Sequence, residues 1–202
     1  MPPTPRRFAS RLLATAAALV LFAAGRPATA TTILPLDLDA LTAAADRVFM
    51  GRVLAVRSGR DHRGLPVTWT TFAVDQALKG APPRTIEIKQ LGVDAPLADG
   101  GVFRVPAMPS YRVGDEVILF LHPESRDGFT SPVGFGQGRF RVHHDGAAPV
   151  AENDVGNRNL AAARGGQPAA ARALVAPPGA SAAPIAVDEL LARIRASAGA
   201  AR

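Results

Sequence analysis

Between Arg47 and His143 the chain alternates short apolar runs with turns rich in glycine and proline, and that rhythm leaves few folds open. The first run is Arg47–Arg57 (RVFMGRVLAVR), apolar at positions of both parities, with Gly51 inside it. A glycine within a buried strand predicts a bulge or a sharp bend. The segment Ser58–Pro66 (SGRDHRGLP) is turn chemistry. Val67–Leu78 is a second strand, with Thr68, Thr70, Phe72, Val74 and Leu78 on one face and Trp69 on the other. Thr85–Leu91 alternates Ile86 and Ile88 against Glu87 and Lys89. Glu116–Leu121 (EVILFL) is apolar throughout and so reads as central. Gly134–His143 is the fifth run, with Phe140 and Val142 opposite Arg139 and Arg141. The predicted core is Ile86, Ile88, Val117, Leu119, Phe120, Phe140 and Val142.

Helical signals flank this region. Residues 36–46 predict a short helix, with Leu38, Leu41 and Ala45 on one face and Asp37 or Asp39 as its cap. Residues 160–184 are rich in alanine, proline and glycine and read as a flexible linker. From Ile185 to Ser197 the spacing of Val187, Leu190, Leu191 and Ile194 predicts an amphipathic helix. The domain plan is therefore a leader over 1–30, a β domain over 31–159, a linker over 160–184 and a terminal helix over 185–202.

The leader sets the expected address. Arg6, Arg7 and Arg11 precede the apolar run Leu12–Ala24, and Ala28-Thr29-Ala30 supplies a small-x-small cleavage site. That order is a secretory signal peptide, with an apolar core shorter than the roughly 20 residues of a membrane span. Phe8 follows the arginine pair directly, which favours the general secretory route over twin-arginine export. The expectation is a periplasmic or secreted protein that starts at Thr31, with no stable membrane span after cleavage.

Charge and cysteine content narrow the function classes. Residues 1–30 hold four Arg and no acid, so their removal lowers the formal charge from +6 to +2. Residues 31–150 are neutral, and a neutral body lacks the cationic stripe that drives nucleic-acid binding. There is no cysteine, which removes disulfide stapling, thiol catalysis and thiolate metal sites.

No motif specifies a reaction. His143 and His144 are adjacent on a strand and point to opposite faces, so they do not form a metal pair, and no metal or cofactor is expected. The run Gly134-x-Gly136-x-Gly138 lacks phosphate-loop spacing and reads as a sharp bend or a close backbone approach. Gln137 and Arg139 beside it are expected to be exposed and available for contact. No serine lies in a nucleophile elbow, and the carboxylates are scattered. The long connection Gly92–Gly114 is unusually apolar at Val102, Phe103, Val105, Met108 and Tyr111. Two readings stand for it: a cap on one end of the core, or a partner-binding patch joined by Trp69. Trp69 also reads as a stacking platform for sugar rings.

Three stretches carry a resemblance: ADRVFMGRV (45–53), TFAVDQALKG (71–80) and YRVGDEVILFL (111–121). Their arrangement resembles the strand motifs of netrin-like domains, which include the tissue inhibitors of metalloproteinases, and of small secreted bacterial proteins. The resemblance covers roughly residues 45–145 and implies a small five-stranded barrel of OB type. It also implies a non-catalytic binding module whose partner is another exported protein, a metalloprotease first. The inhibitors bind the protease zinc through an N-terminal cysteine, which this chain lacks, so that mechanism does not carry over. A cell-envelope carbohydrate-binding or structural component is the second reading, and an unrecognised hydrolase the third.

Overall fold

A computed structural model of the chain describes residues 34–98, 100–162 and 183–200. The leader, the predicted Thr31 terminus and most of the linker lie outside the described residues. Among the described residues the architecture is one antiparallel sheet of seven strands with three short helices. In chain order these are α1 (Leu38–Ala44), β1 (Arg47–Arg60), β2 (Pro66–Lys79), β3 (Thr85–Leu91) and β4 (Glu116–Leu121). A 3-10 turn (Phe135–Gly138), β5 (Arg139–His143), β6 (Val150–Asn153), α2 (Arg158–Ala162), β7 (Ile185–Ala186) and α3 (Val187–Ala200) follow. The strands lie in the order β3-β2-β1-β4-β5-β6-β7.

Two expectations are corrected. The described residues form seven strands rather than five, and the ladder runs from β3 to β7 without closing into a barrel. β6 and β7 are four and two residues long, too short to leave an alternation in the sequence. The fifth run is strand only from Arg139 onward, because Phe135–Gly138 coils into a 3-10 turn. Gly138 at its end lies close against the preceding backbone: a Cβ there would clash with the Val133 carbonyl oxygen. The expected close backbone approach is thus met at this glycine.

Alternation along the strands places apolar groups on both faces of the sheet, and each face builds its own core. Val48 of β1, Ile118 and Phe120 of β4, and Phe140 and Val142 of β5 pack with Leu38 and Leu41 of α1 and with Leu190 and Ile194 of α3. Phe49, Val53, Phe72, Ile86, Ile88, Val117, Leu119 and Leu121 form the second core on the other parity. β4 therefore serves both cores, which is why Val117–Leu121 is apolar without interruption. All seven predicted core residues are buried. Phe49 and Phe72 meet edge to face at 5.8 Å, and Phe120 and Phe140 meet at 5.8 Å in the first core.

Gly51 sits at a register shift between β1 and β2. A Cβ there would clash with the Ala73 carbonyl oxygen, so the backbone at the bulge read from the sequence leaves room only for glycine. Asp37 caps α1 by accepting the Ala40 N–H at 2.8 Å. Lys79 closes the other end of α1, its ammonium donating to the carbonyls of Thr42 and Ala45 at 2.7 Å each. The terminal helix begins at Val187 rather than Ile185, and its Val187, Leu190, Leu191 and Ile194 face is buried. Leu160 of α2 also joins the first core.

Candidate functional site

The connection from Gly92 to Asp115 is held at several points before any of its side chains faces solvent. The Gly92 N–H donates to the Pro66 carbonyl at 2.8 Å and the Val93 N–H to the Phe103 carbonyl at 2.7 Å. Arg104 donates to the Asp94 carbonyl at 2.7 Å, and the Leu97 N–H closes a turn on Gly101 at 2.9 Å. The Met108 sulfur accepts from the Gln90 side-chain amide at 3.0 Å. The loop is thus pinned to β3 and to the start of β2.

Its apolar side chains divide into two sets. Tyr111 is only 7% exposed and belongs to the second core, meeting Phe72 edge to face at 5.2 Å. Burial pushes its phenol well above the ordinary tyrosine range, and its hydroxyl has no hydrogen-bond partner among the described residues. Val105 and Met108 are half-buried. Val102 and Phe103 stay outside, 53% and 47% exposed. The segment therefore has an inner side packed on the second core and an outer apolar side in solvent.

Gln137 and Arg139 require a correction, since both are buried rather than exposed. Gln137 accepts the Leu36 N–H at 2.8 Å and donates to the Leu34 carbonyl at 3.1 Å, so it fastens the segment ahead of α1. Arg139 donates to the Ser110 carbonyl at 2.6 Å and pairs with Asp154, tying the long connection to the end of β6. Its guanidinium also lies 5.6 Å from the Tyr111 ring. A side chain so buried persists because its charge is partnered. A buried amide network extends the same end: Asn153 donates to the Asn159 oxygen at 2.9 Å, and Asn159 donates to the Leu36 carbonyl at 2.6 Å.

Trp69 does not present a bare ring. The Arg57 guanidinium stacks on it at 4.2 Å, and Gly59 lies against its edge. One face of the ring is therefore occupied.

Two depressions open beside the connection, both bordered by Leu91 and Met108. The larger, about 370 Å³, is walled chiefly by Leu65, Leu91, Met108, Pro123 and Phe129, with His122, Thr130 and Ser131 completing it. Sequence reading did not bring Leu65 and Phe129 to this place. They arrive on turns ordered by polar contacts. Asp61 accepts the Arg63 and Leu65 N–H groups at 2.9 and 3.0 Å and the Lys89 ammonium at 2.8 Å. The Lys89 hydrogen bond is the largest cause that holds the Asp61 carboxyl down at about 2; burial opposes it, and the two backbone donors assist. Lys89 in turn sits 4.1 Å over the Phe129 ring. The D-x-R-G-L spacing is the signal that marks this turn.

His143 and His144 stand apart from that end. His144 meets Glu116 at 2.9 Å in a shallow groove shared with Arg52, Asp115 and Arg141. Among the described residues no three His, Asp or Glu side chains converge as metal ligands. Among them, too, no helix is long and apolar enough to cross a membrane. No protein-family model matches the chain, and no curated protein matches it either.

Proposed function

We propose that this chain is an exported, non-catalytic binding module whose partner is another periplasmic or secreted protein. The observation that carries the reading is the division within the long connection. Tyr111 and Met108 anchor it inward, while Val102 and Phe103 are held outward on a pinned backbone. Exposed apolar side chains on a pre-ordered loop lose little conformational freedom on association, and the neighbouring apolar depression offers a seat for one partner side chain.

The netrin-like kinship belongs to this proposal. It is supported by the motifs at 45–53, 71–80 and 111–121 and by the pairing of β1 with both β2 and β4. A parallel bridge between Lys89 and Phe129 adds the kind of contact by which an OB-type sheet curls on itself. On that kinship a secreted metalloprotease is the first partner to try, through the loop surface and not through zinc chelation.

The test is a titration of the chain against purified exported metalloproteases of the producing cell, repeated with Val102→Ser combined with Phe103→Ser. The expected result is saturable binding that the double change weakens by about 2 kcal/mol or more, with the melting temperature nearly intact. Co-sedimentation with insoluble cell-wall glycan and no protease binding would favour the carbohydrate reading instead.

A further inference from the structure

The chain contains three Asp–Gly pairs, at 99–100, 127–128 and 145–146, and no Asn–Gly pair. This dipeptide has a chemistry of its own. Glycine carries no Cβ, so its amide nitrogen can close on the carboxyl carbon of the aspartate before it. The fold treats the three nitrogens differently. The Gly100 N–H donates to the Leu97 carbonyl at 2.8 Å, and the Gly128 N–H donates to the Ser125 carbonyl at 3.0 Å. Both glycines are set in these turns at a φ of 77°. Asp127 is held as well, its carboxylate accepting from Arg63 at 2.7 Å. Asp145 and Gly146 lie in the connection between β5 and β6, and both are exposed. Neither the Gly146 N–H nor the Asp145 carboxylate has a hydrogen-bond partner among the described residues. The backbone there is uncrowded: a Cβ on Gly146 would come no nearer than 3.9 Å to any atom beyond its chain neighbours.

We propose that Asp145–Gly146 is a covalent modification site, where the folded chain converts aspartate to isoaspartate without an enzyme. The Gly146 nitrogen attacks Cγ of Asp145. The N–Cγ bond forms, the Cγ–OH bond breaks, and the amide proton and the hydroxyl leave together as water. Water then opens the resulting succinimide at one of its two carbonyls. Attack at Cγ restores aspartate. Attack at the main-chain carbonyl breaks the original peptide bond, leaves the backbone running through Cβ and Cγ, and frees the α-carboxylate. One water leaves and one returns, so mass is unchanged, and no oxidant or reductant takes part. The fold tolerates the product. Residues 144–149 contribute to neither core, and the β5–β6 ladder ends at His143 opposite Val150. The longer backbone is therefore taken up in the connection, where small exposed residues accept such changes. The proposal uses none of the residues of the binding surface and does not depend on what the chain binds.

The experiment incubates the full chain at near-neutral pH, folded and in denaturant, and follows isoaspartate by digestion and mass spectrometry with electron-transfer fragmentation. Cleavage after Lys89, Arg104, Arg126, Arg139, Arg141 and Arg158 puts each Asp–Gly pair on its own tryptic peptide. In denaturant all three pairs are expected to react. In the folded chain Asp145 is expected to keep its unfolded rate within about twofold, whereas Asp99 and Asp127 slow about tenfold, because each glycine must first give up a hydrogen bond. Gly146→Ala, for which the backbone has room, is expected to slow the reaction at Asp145 about tenfold with no change in melting temperature. The aged chain is expected to melt where the fresh chain does. Protection of Asp145 in the folded state would overturn the proposal. So would native rates at Asp99 and Asp127 equal to that at Asp145, since the fold would then make no distinction. A lower melting temperature in the aged chain would overturn the claim that the connection absorbs the change.

Discussion

At the scale of single residues, polar side chains decide how the apolar frame is finished. Asp61 is the clearest case, since its carboxyl is held at about 2 against 3.8 in an unperturbed chain, chiefly by the Lys89 hydrogen bond. A lowered folded value means that the unfolded chain takes up the proton first as pH falls. The stability contributed by ionised Asp61 is therefore complete above about 4 and is lost as pH drops toward 2. Denaturant titrations across that window should show the loss, and Asp61→Asn should flatten that part of the profile. A profile unchanged by Asp61→Asn would show that the Lys89 contact contributes nothing to folding. Tyr111 acts in the opposite direction. Its phenol is raised by burial, so ionisation of the unfolded chain above pH 10 lowers stability as pH rises, and Tyr111→Phe should blunt that alkaline decline.

At the scale of elements, the helices depend on the sheet. α3 is too short to persist alone in water, yet its apolar face is fully used in the first core. Leu190→Ala should therefore cost about 2–5 kcal/mol in a chemical denaturation, as expected for a buried leucine whose site does not collapse. A cost below 1 kcal/mol would mean that α3 does not stabilise the sheet. Phe120→Ala in β4 should cost about 3–5 kcal/mol for the same reason. Lys79 links β2 to the C-terminal carbonyls of α1. Lys79→Met keeps most of the aliphatic stem and removes the donors, so any loss of stability, about 1 kcal/mol, reports the cap itself.

At the scale of the whole molecule, the two cores give the faces of the sheet different duties. The helices cover one face, while β3 and the long connection complete the other. Within that connection a thermal scan should separate inner from outer residues. Met108→Ser should lower the melting temperature, because it breaks the contact with Gln90 and opens the apolar depression. Phe103→Ser should leave the melting temperature close to that of the unaltered chain, because its side chain is largely in solvent already. Equal effects at the two positions would contradict the division between an inner anchor and an outer, solvent-facing side.

The sequence by itself determined the elements whose signal is local. The strands Thr85–Leu91 and Glu116–Leu121 lie where alternation and unbroken hydrophobicity place them. Asp37 caps α1, Gly51 marks a bulge, and the helical spacing after residue 185 yields α3. These follow from neighbours a few residues apart, which the order of residues records directly. Only the tertiary structure decided the rest. β6 and β7 are too short to carry a period, and they exist because β5 and α3 bring them into register. Gln137 and Arg139 look like surface residues in any local window. Their partners Leu34, Leu36 and Ser110 lie far along the chain, and Asp154 returns just after the next strand. A buried polar residue and an exposed one are written with the same letter, and the distinction is made by what distant chain segments bring to it. The same holds for the candidate site. The apolar character of residues 102–111 is legible, but which of those side chains faces inward is fixed by the cores of β2 and β3 against which the loop folds.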